Sequence, residues 1–357
     1  MSTTTQTRPD EQPVPAAVGE LIRILNDGAI AVLGSIGYQT GLFEALATLP
    51  PATSQQVADA AGLNERYVRE WLGGITVAGL ITYDPAARTY ALSPEYAPFL
   101  TGPTADNIAR SLRFITLMGE VTSKVAEKFR TGGGLAYSDY PDFYAVQAED
   151  SGAVHDAALI DTILPVTEMV EALRTGIDVV DIGCGQGHAI NLMAREFPRS
   201  RFTGLDFGAE ALERARAEAA AWGLTNATFV ECDLAAPVEP ATYDLVTAFD
   251  VIHDQARPAQ VLANVRTVLR PGGTFLMADF NVSSHLERNL ELPWASLIYA
   301  LSTAHCMSVS LGQGGAGLGT AWGVELAEQM LHEAGFATVE QHHLDADPFN
   351  VYIVARP

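Results

Sequence analysis

The chain has 357 residues, room for two or three domains with their own cores. At 48% apolar and 18% charged residues its composition is globular, and a formal net charge of −22 opposes binding to nucleic acid or anionic membranes through the overall field. Its three cysteines, Cys184, Cys232 and Cys306, lie too far apart for a disulfide framework or zinc-ligand spacing, which fits a reducing cytoplasm, and no apolar run approaches a membrane span.

Residues 1–18 are rich in Thr, Gln and Pro and read as a disordered leader without a signal-peptide pattern. From Leu21 to Leu46 the apolar spacing is helical, with a break expected near Asp27-Gly28. Pro50-Pro51 stops it. Thr53-Ser54 caps a short helix to Ala61, and Asn64 caps another from Glu65 to Gly79. Leu80–Tyr83 and Arg88–Leu92, joined through Asp84-Pro85, read as a hairpin. Helix, turn, helix and hairpin make a winged-helix module spanning 19–100. In the DNA-reading position, Arg66 and Arg69 are balanced by Glu65 and Glu70, whereas a groove reader needs several basic or amide side chains on one face. A dimerisation module is therefore the better reading.

Residues 101–176 form a helical linker. Ile108, Leu112, Phe114, Ile115, Met118 and Val121 mark an amphipathic helix over 104–130, and Gly132-Gly133-Gly134 a hinge. Tyr137, Tyr140, Phe143 and Tyr144 follow on an aromatic, acidic loop, where Tyr137 and Tyr140 either close over a ligand or simply pack. A helix from Gly152 to Thr175 leads into the stretch around which the chain is organised.

That stretch is Val179-Val180-Asp181-Ile182-Gly183-Cys184-Gly185-Gln186-Gly187: a β-branched strand, a turn with three alternating glycines, and a helix from His188 to Phe197. Such a turn lets the backbone approach a ligand and points helix N-terminal N–H groups at it. Three further strands end in acids: Arg201–Asp206, Ala227–Asp233 and Tyr243–Asp250. Arg270-Pro271-Gly272-Gly273 feeds a fifth. Helices fit 188–197, 209–222 and 257–269, so strands and helices alternate as in a parallel sheet. Asn281–Thr320 is an insertion read as a lid with a glycine-rich hinge at 312–319. The last strands are Phe336–Leu344 and Val351–Ala355.

Together these motifs resemble the class I S-adenosylmethionine-dependent methyltransferases, over roughly residues 153–357. Within that superfamily the chain is most similar to bacterial small-molecule enzymes with a winged-helix domain and a lid, on Phe249–Asp254 and Ser302–Met307. The resemblance implies an α/β fold: a Rossmann-like seven-stranded methyltransferase sheet at 177–357, a mostly helical winged-helix domain in front and a helical lid at 281–320. It makes the final strand antiparallel, pairs two subunits through the winged helix, and places a cofactor-covering helix in 152–175. It implies S-adenosyl-L-methionine as cofactor, with Asp181, Gly183, Gly185, Gln186 and Gly187 at the methionine end. Asp206 matches the ribose acid and Asp233-Leu234 the adenine-contacting pair. Phe207 and Phe249 either flank the adenine or belong to the core, with Asp250 beside them.

Methyl transfer to a phenol or alcohol is helped by a base. His253 follows the fourth strand, where the cleft opens, and is similar in place to the family's His-Asp pair. It removes the acceptor's proton, positions the acceptor without proton transfer, or only caps the next helix. The glycines at 183, 185 and 187 are hard to explain without a nearby ligand. Tyr140, Trp294, Tyr299 and His305 are candidates for lining the acceptor space. His305 and Cys306 could join His253 around a metal, but adjacent residues seldom ligate one ion and no acid cluster accompanies them, so no metal is assigned. The function expected is cytoplasmic methylation of a small, partly apolar molecule, on oxygen with His253 as base. The alternatives are N-, S- or C-methylation in the same pocket, or a DNA-binding ligand sensor.

Overall fold

The computed structural model describes residues 15–357 except Ala241. Most of the expected leader lies outside the described residues, and from Ala16 its end is already helix. The chain divides into two units. One runs to Gly102 and takes in Asn107–Ile115; the other takes in Pro103–Asp106 and Thr116–Pro357.

In the first unit one unbroken helix, Ala16–Gln39, stands where a break at Gly28 was expected. A glycine costs a helix only about 1 kcal/mol, and no proline interrupts this one. Gly37 has a packing reason. A Cβ there would sit 2.5 Å from the Trp71 ring and 2.7 Å from that of Phe43. The Trp71 indole N–H donates to Leu33 O at 2.8 Å and ties the long helix down. Helices Leu42–Thr48, Ser54–Ala61 and Glu65–Val77 follow. Thr53 and Gln56 form a capping box on the second of these, and Asn64 accepts from Arg66 N on the third. Strands β1 (Ile81–Asp84) and β2 (Thr89–Leu92) pair antiparallel as the wing. Phe43, Val57, Val68, Trp71, Leu72 and Ile75 form the core. On helix Glu65–Val77, Arg66 pairs with Glu70 and Arg69 with Glu65.

The helix expected over 104–130 begins only at Arg113 and ends at Thr131, most of it in the second unit; turns precede it. The helix expected over 152–175 is four pieces. Phe143–Ala158 is α-helical, Leu159–Ile163 a π-turn and Leu164–Thr167 a 3₁₀ turn, before a short helix Val170–Thr175. Pro165 lacks the N–H that a continuous helix would use there.

The sheet contains β3 (Asp178–Ile182), β4 (Arg201–Asp206), β5 (Ala227–Glu231), β6 (Tyr243–Phe249), β7 (Leu269–Phe280), β8 (Thr338–Leu344) and β9 (Asp347–Arg356). Its order is β5-β4-β3-β6-β7-β9-β8, with β9 antiparallel to both neighbours. Adjacent residues of one strand serve opposite faces. Val179 packs with Ile190, Met193 and Leu173, whereas Val180 packs with Val261, Val265 and Leu331. Helices therefore cover both faces, which is why Val179 and Val180 are both apolar although they point opposite ways.

The insertion at 281–320 is helical: Ala295–Leu301, a π-turn Ser302–Cys306, then Met307–Gly312. Its glycine-rich run is stitched down in this state. Ala316 N donates to Ala256 O at 3.0 Å and Gly319 N to His253 O at 3.1 Å. The expected hinge at 132–134 is likewise anchored, because Leu135 N donates to Ser308 O at 3.2 Å and a Cβ on Gly134 would strike that oxygen.

Candidate active site

The order of β3, β4 and β6 brings the ends of three central strands to one cavity. β4 and β6 leave β3 in opposite directions, which opens a crevice at the strands' carboxyl ends. Asp181, Gly183, Gly185, Gln186 and Gly187 line it from β3 and its turn, Asp206 and Phe207 from β4, and Phe249, Asp250 and Asp254 from β6 and beyond. Leu234 reaches in from the turn after β5.

The three glycines divide by role. All have positive φ. A Cβ on Gly183 would meet Val251 at 2.4 Å, and one on Gly187 would meet Ala215 at 2.5 Å and Phe229 at 2.6 Å. Packing within the protein therefore explains both, contrary to the reading that all three need a ligand. Gly185 has nothing within 4 Å of its Cβ position, and it lines the cavity. It alone leaves its backbone bare toward a ligand.

Asp206 accepts from Gly185 N at 2.9 Å and Gly208 N at 2.7 Å. Burial lifts its carboxyl above the usual range, against the pull of those N–H groups. Asp181 accepts from the Thr247 hydroxyl at 2.7 Å, and burial raises it to about 7. Asp250 has φ of +56°, and burial, then the charge of Asp279, raise it to about 8. Four carboxyls (Asp181, Asp206, Asp250 and Asp254) line the cavity, and no Lys or Arg does. A positively charged guest suits such a lining.

His253 lies behind the cavity wall. It is 2% exposed, and its Nδ1 is 2.9 Å from Asp279 Oδ1. Its Nε2 is 3.3 Å from Asp254 Oδ1. Burial works against its charge, but the carboxylates of Asp279 and Asp254 outweigh burial and hold the imidazole well above its usual range. Asp254, not His253, faces the cavity. Tyr137 reaches the same point: its hydroxyl donates to Asp254 Oδ2 at 3.3 Å, and its ring meets Phe207 and His305 edge-on.

Several expected residues stand elsewhere. Asp233 pairs with Arg257 at 2.6 Å, both side chains 60% exposed, outside the cavity lining. The turn after β5 points Leu234 inward and Asp233 out. Trp294 stacks on Phe349, and the Tyr299 hydroxyl accepts from Asn289 Nδ2 at 3.1 Å; neither lines the cavity. Tyr140 and His305 sit one layer back. Tyr140 donates to Ala304 O, and the His305 ring stacks on Phe143 with centroids 3.5 Å apart. Burial lowers His305 to about 4.

The helix that covers the cavity is Phe143–Ala158. It contributes Tyr144, Gln147, Ser151 and His155. His155, lowered to about 4 by burial, meets Phe249 edge-on. Sequence reasoning passed over Asp279 because it sits inside the apolar run of β7. Only the pairing of β6 with β7 brings it to His253.

Comparison with known proteins agrees with this architecture. Residues 28–102 match the model of an Rv2258c-like winged HTH domain, and residues 173–345 match that of a methyltransferase domain. The chain is 37% identical over 115 residues to a ubiquinone biosynthesis O-methyltransferase of Vibrio cholerae, covering 31% of this chain and 46% of that protein. It thus spans just under half of that relative's length. A putative O-methyltransferase structure from Nostoc punctiforme superposes with a TM-score of 0.72 at 20% identity, covering 97% of this chain and all of that one. Human N-acetylserotonin methyltransferase, solved with S-adenosylmethionine, gives 0.70 at 16% identity, covering 98% and 99%.

Proposed function

As the chain joins an Rv2258c-like winged-helix domain to a methyltransferase domain of the class I S-adenosylmethionine-dependent fold, we propose that it methylates a small, partly apolar acceptor on oxygen. The carrying observation is the cavity at the ends of β3, β4 and β6, with open space at the Cβ position of Gly185 and four carboxyls beside two histidines and no Lys or Arg. S-adenosylmethionine supplies an activated methyl group on a sulfonium. The cavity residues suit its cationic end, and Asp206 with Gly185 suits its sugar. Oxygen is supported by relatives and neighbours that are themselves O-methyltransferases.

The protein's task is then to orient the acceptor and receive its proton. An acceptor hydroxyl in the cavity meets Asp254 first. Its proton passes to Asp254, and His253, fixed by Asp279, stabilises the chain of three from behind. His253 thereby shares the base role assigned to it with Asp254. The aromatic rings of Tyr137, Tyr144 and Phe207 favour a flat acceptor. The test is incubation with S-adenosylmethionine and a panel of planar phenols, reading methylated product and S-adenosylhomocysteine by mass spectrometry. No uptake of either nucleoside by calorimetry would overturn the reading.

The winged-helix unit fits a homodimer in the cytoplasm. Helix Ala16–Gln39 exposes Val18, Leu21, Ile22, Leu25, Val32 and Ile36, with Leu25 73% exposed. Spacing of three, four and seven makes one stripe, which a second copy of the same helix would bury. The paired arginines of helix Glu65–Val77 leave little to read DNA. No described helix is long and apolar enough to cross a membrane.

A further inference from the structure

Three donor atoms from two distant segments meet behind the cavity wall. His253 and Asp254 stand on the 3₁₀ turn Ile252–Asp254, and His305 and Cys306 end the π-turn Ser302–Cys306. One ligand atom each from His253, Asp254 and Cys306 lies within 4.8 Å of the others, and all three residues are buried. His253 Nε2 is 3.3 Å from Asp254 Oδ1, and His305 Nδ1 is 3.5 Å from Cys306 Sγ and 4.0 Å from Asp254 Oδ2. A tetrahedral zinc site with bonds of about 2.0–2.3 Å has ligand-to-ligand edges of about 3.3–3.6 Å.

Two details separate this cluster from an ordinary buried hydrogen-bond network. Asp254 Oδ1 is buried and makes no hydrogen bond, although His253 Nε2 is only 3.3 Å away. An unmatched buried oxygen is costly. Also, Asp279 holds His253 by Nδ1 and leaves Nε2 turned to the cluster. A carboxylate behind an imidazole is the usual outer support of a metal-binding histidine. The acid that the sequence lacked near His305 and Cys306 is Asp254, brought there by the fold.

We propose that His253, Asp254 and Cys306 bind a zinc-class divalent cation, with the fourth position left to water. A thiolate with an imidazole and one carboxylate selects zinc or cobalt over magnesium or calcium. Binding through Cys306 Sγ and His253 Nε2 requires both atoms free of protons, any that they carry going to solvent, and no electrons move. The cation takes the same groups that receive the acceptor's proton, so loading withholds the base while Gly185 and Asp206 stay available to the nucleoside. The binding half stands apart from the methyl-transfer reading, and the effect on turnover rests on it.

The test is a Co²⁺ titration of the full chain after chelator treatment. One equivalent should give the visible bands of tetrahedral cobalt and a thiolate charge-transfer band in the near ultraviolet, and Zn²⁺ should abolish both. Cys306→Ser should lose the charge-transfer band and bind at least 100-fold more weakly. Asp279→Asn should keep the band and bind about 10–100-fold more weakly. Calorimetry with S-adenosylhomocysteine checks that each variant is folded. Native mass spectrometry needs no variant: the zinc form should weigh one zinc more than the metal-free form, less the protons displaced. No saturable cobalt binding below millimolar concentration, or an unchanged spectrum in Cys306→Ser, overturns the site. Zinc should lower methyl transfer at least tenfold, reversibly with chelator; binding with undiminished turnover overturns the withheld base. A metal-free protein without methyl transfer but with the cobalt spectrum supports the site and counts against the enzymatic reading.

Discussion

Replacing Gly185 and Gly187 separately by alanine distinguishes a glycine that serves a ligand from one that serves packing. Gly187 has φ of +73° and no room: its new methyl would lie 2.5 Å from Ala215 and 2.6 Å from Phe229. Left-handed backbone costs about 1–2 kcal/mol for a residue with a Cβ, and overpacking a tight core costs about 1–3 kcal/mol more. Gly187→Ala should therefore lose roughly 2–5 kcal/mol, which lowers the melting temperature by roughly 5–15 °C in a unit of this size. Gly185 has φ of +52° and open space, so Gly185→Ala should lose only about 1–2 kcal/mol of stability. Its methyl projects into the cavity, and the affinity for S-adenosylhomocysteine should fall at least tenfold. Thermal unfolding and titration calorimetry on the two variants read both quantities. The reasoning fails if Gly185→Ala binds the nucleoside within threefold of the parent, or if Gly187→Ala melts with the parent.

Asp254→Asn and His253→Ala should each cut turnover on a phenolic acceptor by about 10²–10⁴-fold with nucleoside affinity retained, as separate kinetic and calorimetric runs would show. Asp233→Ala should change nucleoside affinity less than threefold, because the side chain is occupied by Arg257 outside the cavity. Asp181 and Asp250, raised to about 7 and about 8, hold protons near neutrality in the unliganded fold. A cationic sulfonium favours their ionised forms, so its binding should release protons and tighten between about pH 6 and 9. Calorimetry in two buffers of different ionisation enthalpy measures this, and net proton uptake would contradict it. Leu21→Glu with Leu25→Glu should turn a dimer into a monomer by light scattering and leave nucleoside binding intact.

The sheet was legible because its central strands carry apolar runs closed by a polar or glycine turn, and the alternation with helices admits few arrangements. Asp206 lines the cavity for the same reason: the end of a parallel strand next to the glycine turn is a fixed place. Asp233 was misplaced because a motif records the order of residues and not which side a turn faces. Trp294 and Tyr299 were misplaced because an insertion's aromatic residues look alike whether they line a pocket or pack a helix. Long helices were misjudged where glycine was taken for a break, as at Gly28, and where Pro165 was passed over. Asp279 carried no local signal, since one acid in an apolar strand acquires meaning only from the neighbouring strand.

The four carboxyls of the cavity, with no Lys or Arg among its lining, treat the two ends of a methyl-transfer cycle unequally. Donation removes the positive charge from sulfur, and with it the attraction that held the nucleoside. A spent donor is then the weaker guest, and a fresh one displaces it without any part of the fold having to move. An analogue that keeps a permanent cation at the sulfur position should outcompete the neutral thioether, the more so at low ionic strength.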